Sequence, residues 1–219
     1  MMISPEVYYE EYLKGKDPAQ LRTAIRSLKQ KIGRLKNTLE DPEYKNQIHT
    51  CPDACTQLEC SRLYLERAKQ ALEDLGEKYQ PSGAECKAAE VDASIPYVGR
   101  LEFSIGGFFD GHETRTAVLD GDKFHLEGDR IPMPRSGSRL DFWADREEFL
   151  GILGSLHLGE WRPYYDPLRY GWVVMDGIQW ELAVYFTNGH KPLQFSGSNA
   201  YPYNFARLKE LLILEDEEE

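Results

Sequence analysis

Four potential metal ligands fall close together in this chain: His49, Cys51, Cys55 and Cys60. Zinc favours imidazole and thiolate, and its sites space them as pairs with about two to four residues between. Here one, three and four residues intervene and no second pair follows. Cys55 and Cys60, at i and i+5, would leave a helix on different faces. With Cys86 they read as free thiols in a reducing compartment, and no metal or cofactor is expected.

A second group is basic. Arg22, Arg26, Lys29 and Lys36, flanked by Lys31 and Arg34, recur at the three- and four-residue spacings that make neighbours on a helix. Such a stripe can follow a row of phosphates. It can equally be the solvated face of a coiled coil, paired with Glu59, Glu66, Glu73 and Glu77 of a following helix. No aromatic residue interleaves it, and a net charge of −11 opposes nucleic acid at long range, so the solvated face is the stronger reading.

The loop Ser196-Gly197-Ser198-Asn199 precedes the last helical stretch, where Ser196, Ser198 and Asn199 could hold an anion against a helix N-terminus. It has neither the Lys of a P-loop nor the glycine spacing of a dinucleotide site, and a strand-to-helix turn needs these residue types anyway. The acidic turns Asp110-Gly111-His112-Glu113 and Asp120-Gly121-Asp122 offer oxygen ligands for a divalent cation, yet they are also good hairpin turns. The five histidines are scattered and no Ser or Cys sits in a nucleophile context. No catalytic residue is assigned.

The elements that must position these groups fall into two parts. Asp17-Pro18 opens a helix over about 18–40, with Gln20 at the capping-box position. Leu21, Ile25, Leu28, Ile32, Leu35 and Leu39 then recur as a heptad seam. A second seam (Leu58, Ser61, Leu65, Ala68, Leu72, Leu75, Tyr79) predicts a helix over about 56–79, closed by Gly76 and Pro81. Pro42 and Pro52 force a loop between them, so residues 1–82 form an antiparallel helical hairpin. Two helices alone bury little. A third surface is needed, and a short helix over 5–13, the following domain or a second copy could supply it.

Residues 82–94 form a polar, partly helical connector, and 95–214 read as an α+β domain. Trp180, Leu182, Val184 and Phe186 alternate with polar positions and lead through Asn188-Gly189 into a strand with Leu193 and Phe195. A strand over Trp172–Met175 is expected before them and a helix from about Pro202 after. Strands near 99–108, 113–119 and 123–126, then a helix opened by Asp145 with Glu148, repeat that order. The domain reads as two βββα copies (98–158 and 171–214) sharing a mostly antiparallel sheet with both helices on one face. An irregular loop over 128–140 departs from the repeat, and 215–219 is an acidic tail.

The run Asp176-Gly177-Ile178-Gln179-Trp180-Glu181-Leu182, followed by Gly197-Ser198-Asn199-Ala200-Tyr201-Pro202 and Asn204-Phe205, resembles a motif in an uncharacterised protein family of anaerobic gut bacteria. The N-terminal hairpin is similar to theirs as well. That resemblance implies a fold and a source and carries no activity.

A hydrophobic content of 41% with 12% aromatics is that of a folded protein. No signal peptide or membrane span is read, so a cytoplasmic protein is expected. Residues 18–40 carry net +5 and residues 1–17 net −2, which leaves −14 for residues 41–219. The leading expectation is a non-enzymatic interaction or adaptor protein. It would bind a protein partner, or itself, through the hairpin and through exposed aromatics in Pro-bearing loops: Tyr164, Tyr165, Tyr201 and Tyr203. The alternatives are an acidic nucleic-acid mimic that inhibits a nuclease or defence system, and nucleic-acid binding through the basic first helix.

Overall fold

The computed structural model describes residues 3–46, 51–107, 111–128, 140–174 and 176–214. The chain divides into two compact units, Met1–Pro81 and Ser82–Glu219. His49, Asp110, Met175, most of the 128–140 loop and the acidic tail lie outside the described residues.

The first unit is helical. Ser4 caps α1 (Pro5–Tyr8), which runs on as a π-helical turn over Tyr9–Leu13. Helix α2 spans Pro18–Glu40, and its capping box forms as its sequence predicts, Asp17 accepting from the Gln20 amide and Gln20 from the Asp17 amide. Helix α3 spans Ala54–Asp74, capped by Asp53. It stops five residues short of the expected position because Gly76, at φ +77°, ends it. The Glu77 amide donates to the Leu72 carbonyl and the Gly76 amide to that of Glu73, a Schellman closure that needs the left-handed residue. Tyr79 therefore leaves the helix, although its ring still packs on the unit's core.

The third surface this hairpin requires is its own N-terminal segment. Leu13 is buried with Leu21, Ile25 and Leu28 of α2 and Leu65, Ala68 and Leu72 of α3. Tyr8 stacks on Tyr64 at 4.1 Å, and the Tyr64 hydroxyl donates to the Ile3 carbonyl at 2.7 Å. Burial in this stack, then the neighbouring Tyr64 and Tyr12, raises the Tyr8 phenol above its ordinary value.

The second unit is α+β. Ser82 and Glu85 make a capping box for α4 (Gly83–Ser94), so the connector is helical throughout. Strands β1 (Val98–Gly107), β2 (Gly111–Asp120), β3 (Lys123–Gly128) and β4 (Leu140–Asp145) lead into α5 (Arg146–Ser155). Then come β5 (Tyr164–Tyr165), β6 (Gln179–Phe186), β7 (Leu193–Ser198) and α6 (Phe205–Leu211). All seven strands join one sheet in the order β4-β3-β2-β1-β6-β7-β5, antiparallel except where β5 meets β7.

The two halves differ in detail. The first half has a fourth strand, β4. In the second, residues 172–174 form no strand, and the two-residue β5 takes the edge by pairing with Ser196 and Gly197. The last helix begins at Phe205 rather than Pro202, and the residues before it are held elsewhere, Asn199 and Ala200 by Ile178 and Trp180 and Asn204 by Leu156 and Trp161.

The helices share one face of the sheet. Leu101, Phe103, Ala117, Phe124, Leu126, Leu182, Val184 and Phe195 point toward Phe149 and Leu153 of α5 and Phe205 and Leu208 of α6. A register shift between Val98 and Arg100 lets Val98 join that core ahead of Leu101. Among the described residues, no helix is long and apolar enough to cross a membrane.

Candidate interaction surface

The basic stripe of α2 is engaged within its own unit. Arg22 pairs with Glu77 at 2.6 Å, and the Lys29 ammonium donates to the Tyr79 hydroxyl at 3.2 Å. Lys69, itself paired with Glu66, faces the same Tyr79 ring, so the tyrosine that left the helix has two ammonium groups near its ring. Arg26 is exposed and Lys36 half-buried. Cys55 and Cys60 both lie on α3, and among the described residues no group of three or more His, Cys, Asp and Glu is placed to hold a metal.

The aromatic positions divide. Tyr164 is 54% exposed, but Tyr165 is 2% exposed and packs against Trp180, because adjacent residues of a strand face opposite sides. Tyr165 is thus a core residue and not a contact residue. Tyr201 packs tilted against Phe205 at 4.7 Å and lies 6.5 Å from Trp180, and Tyr203 is half-buried with its hydroxyl 3.4 Å from Glu160.

The DGIQW…GSNAYP…NF run is a structural lock. Asn199, at φ +50°, accepts from the Ile178 amide, and the Trp180 indole donates to the Ala200 carbonyl. A Cβ on Gly197 would sit 2.5 Å from that indole nitrogen, so only glycine admits the ring. Asn204 accepts from the Trp161 indole and donates to the Leu156 carbonyl. Ser196 and Ser198 belong to β7, well before the seven-residue α6, and make no helix N-terminus.

A cavity of about 610 Å³ opens beside α5, lined by Asp122, Asp145, Arg146 and Glu147. Two of its charged groups, Asp145 and Arg146, have structural employment. The Asp145 carboxylate accepts the Glu147 and Glu148 amides as the helix cap, and Arg146 donates to the Pro96 and Asp122 carbonyls.

The far face of the sheet is different. Among the described residues, no helix of the unit packs on it, and the register arranges it in rows across the strands. One row runs Trp143, His125, Val118, Arg100, Tyr185, one residue each from β4, β3, β2, β1 and β6. At about 4.8 Å per strand, it spans about 19 Å. Trp143, 47% exposed, stacks on the His125 imidazole at 4.5 Å, and His125 Nε2 lies 2.9 Å from Asp141. Arg100 pairs with Glu102 and reaches over the Tyr185 ring, leaving its alkyl stem as part of the surface. The Tyr185 hydroxyl donates to Glu102 at 2.9 Å, which, ahead of burial and the carboxylate's charge, raises its phenol above the ordinary 10.0.

Carboxylates flank this row on both sides. The next row holds Asp141, Glu127, Thr116 and Glu102, with Glu181 one row beyond. The opposite flank holds Asp145, Lys123 and Asp120. The unit as a whole is acidic: residues 82–219 carry 13 Lys and Arg against 24 Asp and Glu, the entire net −11, whereas residues 1–81 carry 13 of each. The row was invisible to sequence reasoning because its members come from five separate strands, and only pairing register brings them together. Against these features, no protein-family model, no curated protein and no solved structure matches the chain.

Proposed function

We propose that this is a non-enzymatic interaction protein whose contact surface is the uncovered face of the α+β sheet. The observation that carries this reading is the exposed Trp143–His125 stack, continued by Val118, Arg100 and Tyr185 across a face with no helix of its own unit on it. Aromatic residues and Arg on a rigid sheet are what contact surfaces are enriched in. The helical hairpin is a weaker contact surface than its sequence suggests, because residues 5–13 close its seam. Nucleic-acid mimicry has less support, since Glu102 is tied to Arg100 and Tyr185 rather than standing in an unbroken line of acids. Direct nucleic-acid binding through α2 has less support too, with Arg22 and Lys29 engaged at Glu77 and Tyr79.

The test is site-directed photo-crosslinking in the source cells. A photoreactive amino acid at Val118, on the open face, is compared with one at Leu63, which is 54% exposed on the helical unit. A discrete adduct from Val118 and none from Leu63 is expected. An adduct from Leu63 alone would transfer the function to the hairpin.

A further inference from the structure

We infer that the occupant of the open sheet face is a basic amphipathic helix of another protein, its apolar stripe on the Trp143–Tyr185 row and its Lys and Arg on the carboxylate margin of Asp141, Glu127 and Glu102. This rests on the reading of that face as a contact surface and adds the chemistry of the partner.

Three features converge on it. The row is a largely aromatic strip with a carboxylate margin on one side, Asp141, Glu127 and Glu102, and a mixed margin on the other, where Lys123 lies between Asp145 and Asp120. That pattern is the complement of a helix whose apolar stripe is bordered by basic residues along one edge. The two positive groups within the strip are matched by carboxylates, Arg100 by Glu102 and His125 by Asp141, so they present stems and ring faces more than net charge. The row's length of about 19 Å suits about 13 helical residues, at about 1.5 Å each, and one helical turn of about 5.4 Å nearly matches the strand spacing of about 4.8 Å.

Charge decides among occupants. A unit holding all of the chain's net −11 attracts a basic segment and repels a second copy of itself. Single-stranded nucleic acid would find aromatic platforms here, but the carboxylate margin would face its phosphates. Neither Trp143 nor Val118, at 47% and 37% exposed, is needed by the core, which leaves both available to a partner.

The experiment uses the full chain and a fluorescent peptide of Leu and Lys patterned as an amphipathic helix of about 14 residues. Controls are a scrambled peptide of the same composition, a Leu/Glu peptide and oligo(dT). The patterned basic peptide is expected to bind at least ~10-fold tighter than the scrambled one, and ever more weakly as salt rises. Trp143→Ala should weaken it ~10-fold, as should the triple Glu102→Gln, Glu127→Gln, Asp141→Asn. A triple that removes equal charge from the helical unit (Glu43→Gln, Glu59→Gln, Glu73→Gln) should leave the affinity within ~2-fold. Preference for oligo(dT) or the Leu/Glu peptide, equal binding of the scrambled peptide, or self-association that buries Trp143 would each overturn the inference. A Val118 adduct with a partner that lacks a basic helix would also overturn it while leaving the contact surface in place.

Discussion

The two units of this protein solve the same packing problem in opposite ways. The helical unit needs a third layer for its seam and takes it from residues 5–13, and its charges balance. Among the described residues, the α+β unit sets α5 and α6 on one face of its sheet and no helix of its own on the other, and its sequence holds the whole net charge. A unit that closes on itself has spent its apolar surface on stability. One that leaves a patterned face uncovered keeps surface for a partner, and that contrast locates the function better than any single residue type.

The comparison can be broken most severely at the cores. Trp180, 1% exposed, touches Trp161, Tyr165, Tyr201 and Phe205. Trp180→Ala should cost ~3–5 kcal/mol. Urea unfolding followed by circular dichroism should lose the sheet transition while the helical one persists. Loss of both together would mean that the two units do not unfold separately.

Next comes the closing layer. Leu13→Ala is expected to cost the helical unit ~2–4 kcal/mol, and Val7→Ala, at a position 41% exposed, less than ~0.5. Thermal melts of the two variants sharpen the claim that residues 5–13 close the seam. Equal melting temperatures would contradict it.

The lock between β6 and β7 should show a smaller effect. Asn199→Ala removes the acceptor for the Ile178 amide and the residue type that tolerates a left-handed φ, at ~1–2 kcal/mol, and Asn199→Asp should retain most of that. Chemical denaturation of both variants separates the acceptor from mere side-chain volume.

The smallest effect concerns Tyr185. Its hydrogen bond to Glu102 favours the neutral phenol, so the bond's contribution is full below the ordinary value of 10.0 and is lost as pH rises through the higher folded value. Spectroscopic titration of phenolate should show Tyr185 ionising at lower pH in Glu102→Gln than in the parent chain. An unchanged titration would mean that the bond is absent in solution.

Much of the fold is legible where the signal is local. Asp17-Pro18 and Pro42 bracket α2, Gly76 stops α3, and Asn188-Gly189 lies at the centre of the register that pairs Leu182 with Phe195 and Val184 with Leu193. The alternation around Trp180 gives β6. What the sequence hides is long-range. β4 puts a tryptophan on its solvent side, which blurs the alternation that would mark Leu140–Asp145 as a strand. Tyr164 and Tyr165, between Pro163 and Pro167, look like loop aromatics until a parallel pairing with Ser196 and Gly197 turns one outward and buries the other. The basic stripe is conspicuous in sequence yet partly consumed by Glu77 and Tyr79, while the row from Trp143 to Tyr185 has no signal within any one segment.

The most direct test of the contrast between the units is amide chemical-shift mapping of the full chain during titration with the Leu/Lys helix peptide. The account predicts shifts concentrated at Glu102, Val118, His125, Trp143 and Tyr185, with the Trp143 indole among the largest and α2 unaffected. Shifts centred on α2 and α3, or on the α5 cavity, would contradict it.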